Sequence, residues 1–173
     1  MKIYQVTPKK DMRRLNMLSS VLFIGAAILL GATFVFGDIP FKWAFQLIGI
    51  VMLTIAVFYF TRYIKRNFVY ALEKTDAGVD FTVTEINGRH IITVCRISTD
   101  NVIDVYTASA NDSLQKKEAI AKAKANNRKF FNYSVDMFGE QYVFLLADEC
   151  GESVSVKLSY DEQLLALLKA KKE

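Results

Sequence analysis

Two stretches of this sequence decide its fold: LNMLSSVLFIGAAILLGATFVFG at residues 15–37 and WAFQLIGIVMLTIAVFYFT at residues 43–61. Neither stretch contains a charged side chain. As α-helices they would be about 34 and 28 Å long, and the hydrocarbon core of a bilayer is about 30 Å thick. Neither has a polar face for water, which argues against two buried helices of a soluble protein. We therefore expect transmembrane helices at 15–37 and 43–62, joined by an external loop at 38–42.

A cleaved signal peptide is the main alternative for the first stretch. Such a peptide has an apolar core of about 7 to 15 residues, followed by a small-residue cleavage site and export. Here a second apolar stretch follows after a very short loop. This order of segments favours two membrane spans over a signal peptide.

Basic residues flank the two apolar stretches unevenly. The loop between the stretches contributes only Lys42, whereas eight basic residues lie before the first stretch or after the second: Lys2, Lys9, Lys10, Arg13, Arg14, Arg62, Lys65 and Arg66. Short cytoplasmic flanks carry an excess of Lys and Arg. The sequence therefore predicts a multi-pass protein of the cell membrane with both termini in the cytoplasm, and a cytoplasmic N-terminal segment at 1–14.

From residue 67 onward, apolar and polar residues alternate, which is the period of strands with one buried face. The alternation is clearest at 79–84, 131–136 and 153–158. Runs of β-branched or aromatic residues predict four more strands, at 68–73, 91–97, 102–107 and 141–147. The glycines of this region fall between the runs, where turns are needed. Strands joined by short turns predict an antiparallel meander of seven strands.

Three other segments have a predicted structure. Residues 3–6 suggest a short strand that adds to the soluble domain. Residues 112–128, DSLQKKEAIAKAKANNR, are rich in Ala and Lys and predict a helix that interrupts the sheet. The last segment, SYDEQLLALLKAKKE at 159–173, predicts an amphipathic helix in which Ser159 and Glu162 form a capping box.

Seven antiparallel strands followed by an amphipathic helix is the element order of a pleckstrin-homology-like (PH-like) domain. The paired spans, RNFVYALEKTDAGVDFTV (66–83), IITVCRISTDNVIDVY (91–106) and YVFLLADECGESVSVKLSYDEQLLALLKAKK (142–172) carry the resemblance. The chain resembles bacterial two-pass membrane proteins with a PH-like cytoplasmic domain, a family of unknown function. The resemblance implies two transmembrane helices followed by a seven-stranded antiparallel two-sheet barrel with a C-terminal capping helix. The PH-like domain would span 67–173, with a basic helical insertion at 112–128.

The sequence contains no recognisable catalytic or metal-binding pattern. Its single histidine, His90, lies beside a predicted turn and has no nucleophile near it in the sequence. Cys95 and Cys150 lack the spacing of a zinc site, and their predicted cytoplasmic position argues against a disulfide. We therefore expect a protein without enzyme activity, cofactor or metal.

Charge is distributed unevenly along the chain. Residues 1–66 hold nine basic and two acidic side chains, and residues 67–173 hold thirteen and sixteen. One basic segment stands out in the second half, and with the residues after the second span it suggests contact with an anionic lipid surface: Lys116, Lys117, Lys122, Lys124, Arg128, Lys129, Arg62, Lys65 and Arg66. The weak apolar face of this segment favours the alternative, a solvated helix.

These observations predict a non-enzymatic, membrane-tethered PH-like module. It would bind a protein partner or lipid at the cytoplasmic face, as a small subunit or assembly factor of a membrane complex. The alternative is an enzyme that acts on a lipid or a membrane-bound substrate. The acidic remainder of the soluble part argues against nucleic acid as a partner. Neither span contains an ionisable residue, which argues against a transporter built from this chain alone.

Overall fold

The computed structural model describes residues 1–35, 40–76, 78–135, 139–149 and 151–170, apart from the side chain of Asn126. The chain divides into two compact units. The helical unit is Asp11–Arg66, and the sheet unit combines Met1–Lys10 with Asn67–Glu173. Residues 1–10 belong to the sheet unit because their strand pairs with the strand that begins at residue 67.

The helical unit consists of α1 (Met12–Val35) and α2 (Lys42–Tyr59), which continues as a π-helical segment at Phe60–Lys65. Both helices, the second counted to Lys65, are long and apolar enough to cross a membrane. The side chain of Leu30 occupies the space where a β-carbon would lie on Gly49, so α1 and α2 pack closely at this glycine. Residues 36–39, which include the end of the predicted first span and part of the predicted loop, lie outside the described residues.

The described part of the sheet unit contains eight strands in two four-stranded sheets. Sheet A has the order β1-β2-β3-β4, with β1 (Lys2–Val6), β2 (Asn67–Thr75), β3 (Gly78–Asn87) and β4 (His90–Ser98). Sheet B has the order β5-β7-β8-β6, with β5 (Val102–Ser109), β6 (Lys129–Asn132), β7 (Gln141–Glu149) and β8 (Glu152–Ser159). Two helices complete the unit, α3 (Ser113–Lys124) and α4 (Glu162–Ala170).

The structure confirms two long apolar helices followed by a two-sheet domain, and it confirms the added N-terminal strand as β1. The prediction of a seven-stranded antiparallel barrel is wrong. The described residues form eight strands in two open sheets rather than a closed barrel, and β6 is parallel to β8. The reason is α3, which carries the chain from β5 at one edge of sheet B to β6 at the opposite edge. A crossover of this kind produces parallel pairing, which a tight turn cannot.

The main core lies between the two sheets. In sheet A, Leu72, Phe81 and Ile97 are cross-strand neighbours with at most 2% of their surface exposed. Val156 of sheet B and Leu164 of α4 are fully buried in the same cluster. The predicted amphipathic helix is therefore present, and its leucine face packs into the core.

Asp161, and not Ser159, is the N-cap of α4. The Asp161 carboxylate accepts a hydrogen bond of 2.8 Å from the Leu164 N–H, and its carbonyl accepts one from the Leu165 N–H. Ser159 still belongs to β8, where its Oγ accepts a hydrogen bond from the Val135 N–H. The predicted capping box at Ser159 and Glu162 is therefore wrong, because β8 extends further than the sequence pattern suggested.

The hydroxyl of Tyr70 connects sheet A to two segments of the opposite sheet. It donates a 2.7 Å hydrogen bond to the Tyr133 carbonyl and accepts one of 3.2 Å from the Ser159 N–H. The Tyr70 side chain is fully buried. Both partners are backbone groups that would lose this hydrogen bond if the hydroxyl were removed.

We predict that Tyr70→Phe lowers the free energy of unfolding by about 1–3 kcal/mol, because two backbone groups lose a buried partner. Hydrogen exchange of β2 and β8 amides in the full chain, held in detergent micelles, measures this effect in the sheet unit alone. The control is Tyr160→Phe, since the Tyr160 side chain is 41% exposed. Tyr160→Phe should change the free energy of unfolding by less than about 0.5 kcal/mol. An equally small change in Tyr70→Phe would contradict the bridging role of the Tyr70 hydroxyl.

Candidate functional site

The predicted basic helix is α3, which covers the outer face of sheet B. The Asp112 carboxylate caps it by accepting hydrogen bonds from the N–H groups of Leu114 (2.9 Å) and Gln115 (3.1 Å). Ala119 and Ala123 face the sheet and are buried with residues of β5 and β7. Alanine at these positions lets the helix approach the strands closely, so sheet B is covered on both faces.

Three of the predicted lipid-contact cations also contact residues of sheet B. Lys122 Nζ lies 2.8 Å from Asp104 Oδ2, and 4.4 Å from the centre of the Tyr106 ring. Lys129 Nζ lies 2.5 Å from Glu152 Oε1. Lys124 Nζ is 5.6 Å from the centre of the Phe130 ring. Exposed pairs of this kind contribute little to stability, but they orient these side chains toward the strands.

The remaining predicted cations differ in their surroundings. Lys117 is exposed, whereas Lys116 and Arg128 are half-buried. Arg62, Lys65 and Arg66 belong to the helical unit, at or just after its π-helical segment. Four of the six cations of 112–129 thus lie on α3, and Arg128 and Lys129 lie at or just before the start of β6. Lipid contact by the full set stays a prediction.

Sequence reasoning missed Lys157 of β8. Its side chain is only 9% exposed, and its Nζ lies 3.5 Å from the centre of the Tyr142 ring. Burial, together with the nearby charge of Lys116, lowers the pKa of Lys157 to about 8. In an alternating strand, Lys157 reads as a solvent-facing residue. The signal that could have revealed it is the predicted helix at 112–128, which has to cover one face of the sheet.

A second feature is the free edge of β4. Among the described strands, β4 pairs only with β3, so its other edge is open. Two large apolar side chains are exposed on this strand, Ile91 (68%) and Ile92 (61%). Val94 is the extra residue of a β-bulge, because Thr93 pairs with Thr84 and Cys95 pairs with the preceding Val83. An apolar, bulged edge is thus presented to solvent.

Two adjoining cavities, of about 290 and 230 Å³, run along β4 and share Val94. We call them together the β4 groove. The first lies between β4 and sheet B and is lined largely by apolar side chains, namely Val94, Ile97, Phe131, Tyr133, Val154 and Val156. The second is lined by Glu85, Asn87, His90, Ile92 and Val94. From His90 to Ile97 the groove follows eight residues of strand, or about 23 Å.

Polar groups define the sides of the first cavity. The Tyr133 hydroxyl donates a 3.2 Å hydrogen bond to the Val94 carbonyl and so connects the two sides. Glu149 Oε2 accepts hydrogen bonds from the Ser98 N–H (3.3 Å) and from Asn101 Nδ2 (3.0 Å). The Cys95 thiol lines the cavity, and burial, with a smaller effect of Glu149, raises its pKa to about 11. This thiol is therefore protonated at neutral pH and is a poor nucleophile.

Comparison of the chain with known protein families, with curated proteins and with solved structures finds no match. Within the described residues, no group of three or more His, Cys, Asp or Glu side chains is placed to hold a metal ion. Two features of the sheet unit are therefore candidate sites, the β4 groove and the surface that α3 covers.

We predict that Lys157 makes stability depend on pH. Its pKa of about 8 in the folded protein lies below its ordinary value of 10.5, so the unfolded chain binds more protons between these two values. Wild-type stability should therefore rise relative to Lys157→Met as the pH increases from about 8 toward 10.5. Urea unfolding of both proteins, monitored by circular dichroism, measures this difference in the free energy of unfolding. Groups that titrate alike in both proteins do not contribute to it.

Lys117→Met is the matched control, because Lys117 is an exposed lysine. The difference in stability between wild type and this variant should not change with pH. If the difference between wild type and Lys157→Met is equally constant, the lowered pKa of Lys157 is refuted.

Proposed function

We propose that this protein is a membrane-tethered binding module whose sheet unit takes up an extended segment of a partner protein in the β4 groove. The two apolar helices would anchor the chain in a bacterial cell membrane with both termini in the cytoplasm. The sheet unit would then act at the cytoplasmic face, as a small subunit or assembly factor of a membrane complex.

The observation that carries this proposal is the combination of an open strand edge with an apolar groove. Apart from the Val94 carbonyl and the Ser98 N–H, which are bonded to Tyr133 and Glu149, the outward N–H and C=O groups of β4 can pair with an added strand. Alternate side chains of that strand can enter the two cavities. Natural proteins usually protect open edges with charge or cover, since exposed apolar edges promote aggregation. Ile91 and Ile92 on this edge are therefore best explained by a partner that covers them.

The groove favours binding over catalysis. Cys95 is the kind of residue that could act as a nucleophile there, but its raised pKa keeps the thiol protonated at neutral pH. The Glu149 carboxylate at the same cavity is engaged with a backbone N–H and an amide side chain. These groups support recognition of a polypeptide better than the alternative of an enzyme that acts on a lipid.

The relation to PH-like domains is part of this proposal. It is supported by the C-terminal helix α4, whose Leu164 and Leu168 are buried against the two sheets. The added strand β1 and the α3–β6 crossover depart from the seven-stranded pattern. The proposed domain is thus a PH-like arrangement with an extra edge strand on sheet A and a helical insertion in sheet B.

The membrane topology is supported by the two apolar helices and by the basic residues that flank them. We predict that a reporter active only in the cytoplasm is active when fused after Glu173. The same reporter inserted in the loop at 38–42 should be inactive, which serves as the control. If the reporter is active in the loop and inactive at the C-terminus, the orientation is the opposite of the one proposed.

Partner binding can be tested in cells with a photocrosslinking amino acid. We predict that the full chain with this amino acid at position 91 forms discrete adducts with a partner protein. The same amino acid at position 114 should form none, because Leu114 is equally exposed (69%) but lies on α3. A second change, Ile92→Lys, should abolish the adducts by placing a charge in the groove. Adducts that are absent at 91, or that survive Ile92→Lys, would contradict the proposal.

A further inference from the structure

Glu149 of β7 lies at one end of the open edge of β4. Its Oε2 atom accepts hydrogen bonds from the Ser98 N–H and from Asn101 Nδ2, and these two donors fix the carboxylate in place. Among the described residues, no donor is bonded to the other oxygen, Oε1. Because the Ser98 N–H is already used, an added strand can pair regularly with β4 only as far as Ile97. A segment bound along this edge therefore ends its pairing beside the Glu149 carboxylate.

The cations near the first cavity already have carboxylate partners, but Glu149 lacks a cation. Glu152, which also lines the cavity, is paired with Lys129. Arg96 lines the cavity as well, and its guanidinium lies 3.8 and 3.9 Å from carboxylates of β2 and β3. Glu149 forms no ion pair within the described ranges of the chain. The first cavity thus has an unmatched negative charge at its side.

The wall beside this charge is apolar. Phe131 of β6 and Val154 and Val156 of β8 line the cavity that also contains Glu149. A large apolar side chain of a bound strand can fill such a space. A Lys or Arg side chain can place its aliphatic part along the same wall and bring its charged end to the carboxylate. An acidic or phosphorylated side chain would instead be repelled by Glu149.

We propose that the segment bound in the β4 groove is basic, with a large apolar residue in the first cavity and a Lys or Arg that pairs with Glu149. Such a preference rests on the proposed function, because it describes the segment that the groove would bind. Alternate residues of a strand lie on the same face, so the apolar and the basic residue should be two positions apart. In a segment antiparallel to β4, which runs toward Glu149, the basic residue comes first.

The first test uses the full chain in detergent micelles and a phage-displayed library of random peptides about ten residues long, slightly longer than the groove. Peptides of the groove are those that bind wild type and fail to bind Ile92→Lys. Leu114→Lys is the control, because it adds the same charge at a similarly exposed position on α3 and should keep binding. We expect the groove-dependent peptides to share a Lys or Arg two positions from a large apolar residue.

The second test measures the affinity of a selected peptide by fluorescence anisotropy. Glu149→Gln should lower this affinity about tenfold, since a hydrogen bond to a charged group is stronger than one to a neutral group. Glutamine keeps an oxygen acceptor for the Ser98 N–H and Asn101, so the groove should retain its shape. Glu118→Gln, which neutralises an exposed carboxylate of α3, should leave the affinity unchanged.

A change in the peptide then shows whether the two charges form a direct pair. Replacing the basic residue of the peptide by Gln should weaken binding to wild type about tenfold and binding to Glu149→Gln far less. Equal losses in both proteins would overturn the pairing with Glu149. Groove-dependent peptides that share no basic residue would also overturn it, and would leave strand binding in the β4 groove intact. A library that yields no peptide sensitive to Ile92→Lys would overturn both proposals.

Discussion

The arrangement of the sheet unit depends on three hydrogen bonds made by Tyr133. Its N–H donates to the Lys157 carbonyl (2.9 Å), its carbonyl accepts from the Tyr70 hydroxyl, and its own hydroxyl donates to the Val94 carbonyl. One residue just after β6 thus connects β8, the inner face of sheet A and the open edge of β4. Because these contacts are largely shielded from water, the position of β6 and the shape of the β4 groove are set together.

Much of the fold could be predicted from local patterns. The charge-free stretches at 15–37 and 43–61 predict the two long helices, and alternation from residue 67 locates the strands. The leucines of the last segment predict a helix that packs on the sheets, as α4 does. These features depend on the period of apolar residues along the chain, which a single sequence contains.

The features that could not be predicted depend on which strands become neighbours. The sequence of β6 would be the same whether this strand paired in parallel with β8 or formed the next strand of an antiparallel meander. Both arrangements need the same alternation of apolar and polar residues. The same limit hid Lys157, which reads as solvent-facing until α3 is placed over it. The β4 groove was likewise missed, since its lining comes from strands far apart in the sequence. The ion pairs of Lys122 with Asp104 and of Lys129 with Glu152 could not be predicted either, because each carboxylate lies on another strand.

The β-bulge at Val94 has a consequence for how molecules of this protein behave at high concentration. An extra residue in an edge strand interrupts the regular spacing of its N–H and C=O groups. Two identical β4 edges therefore cannot join along their whole length, which disfavours open-ended stacking of one copy on the next. A different polypeptide can pair with β4 on either side of the bulge. The bulge thus lets the strand keep an apolar, accessible edge while lowering the risk of self-assembly into fibres.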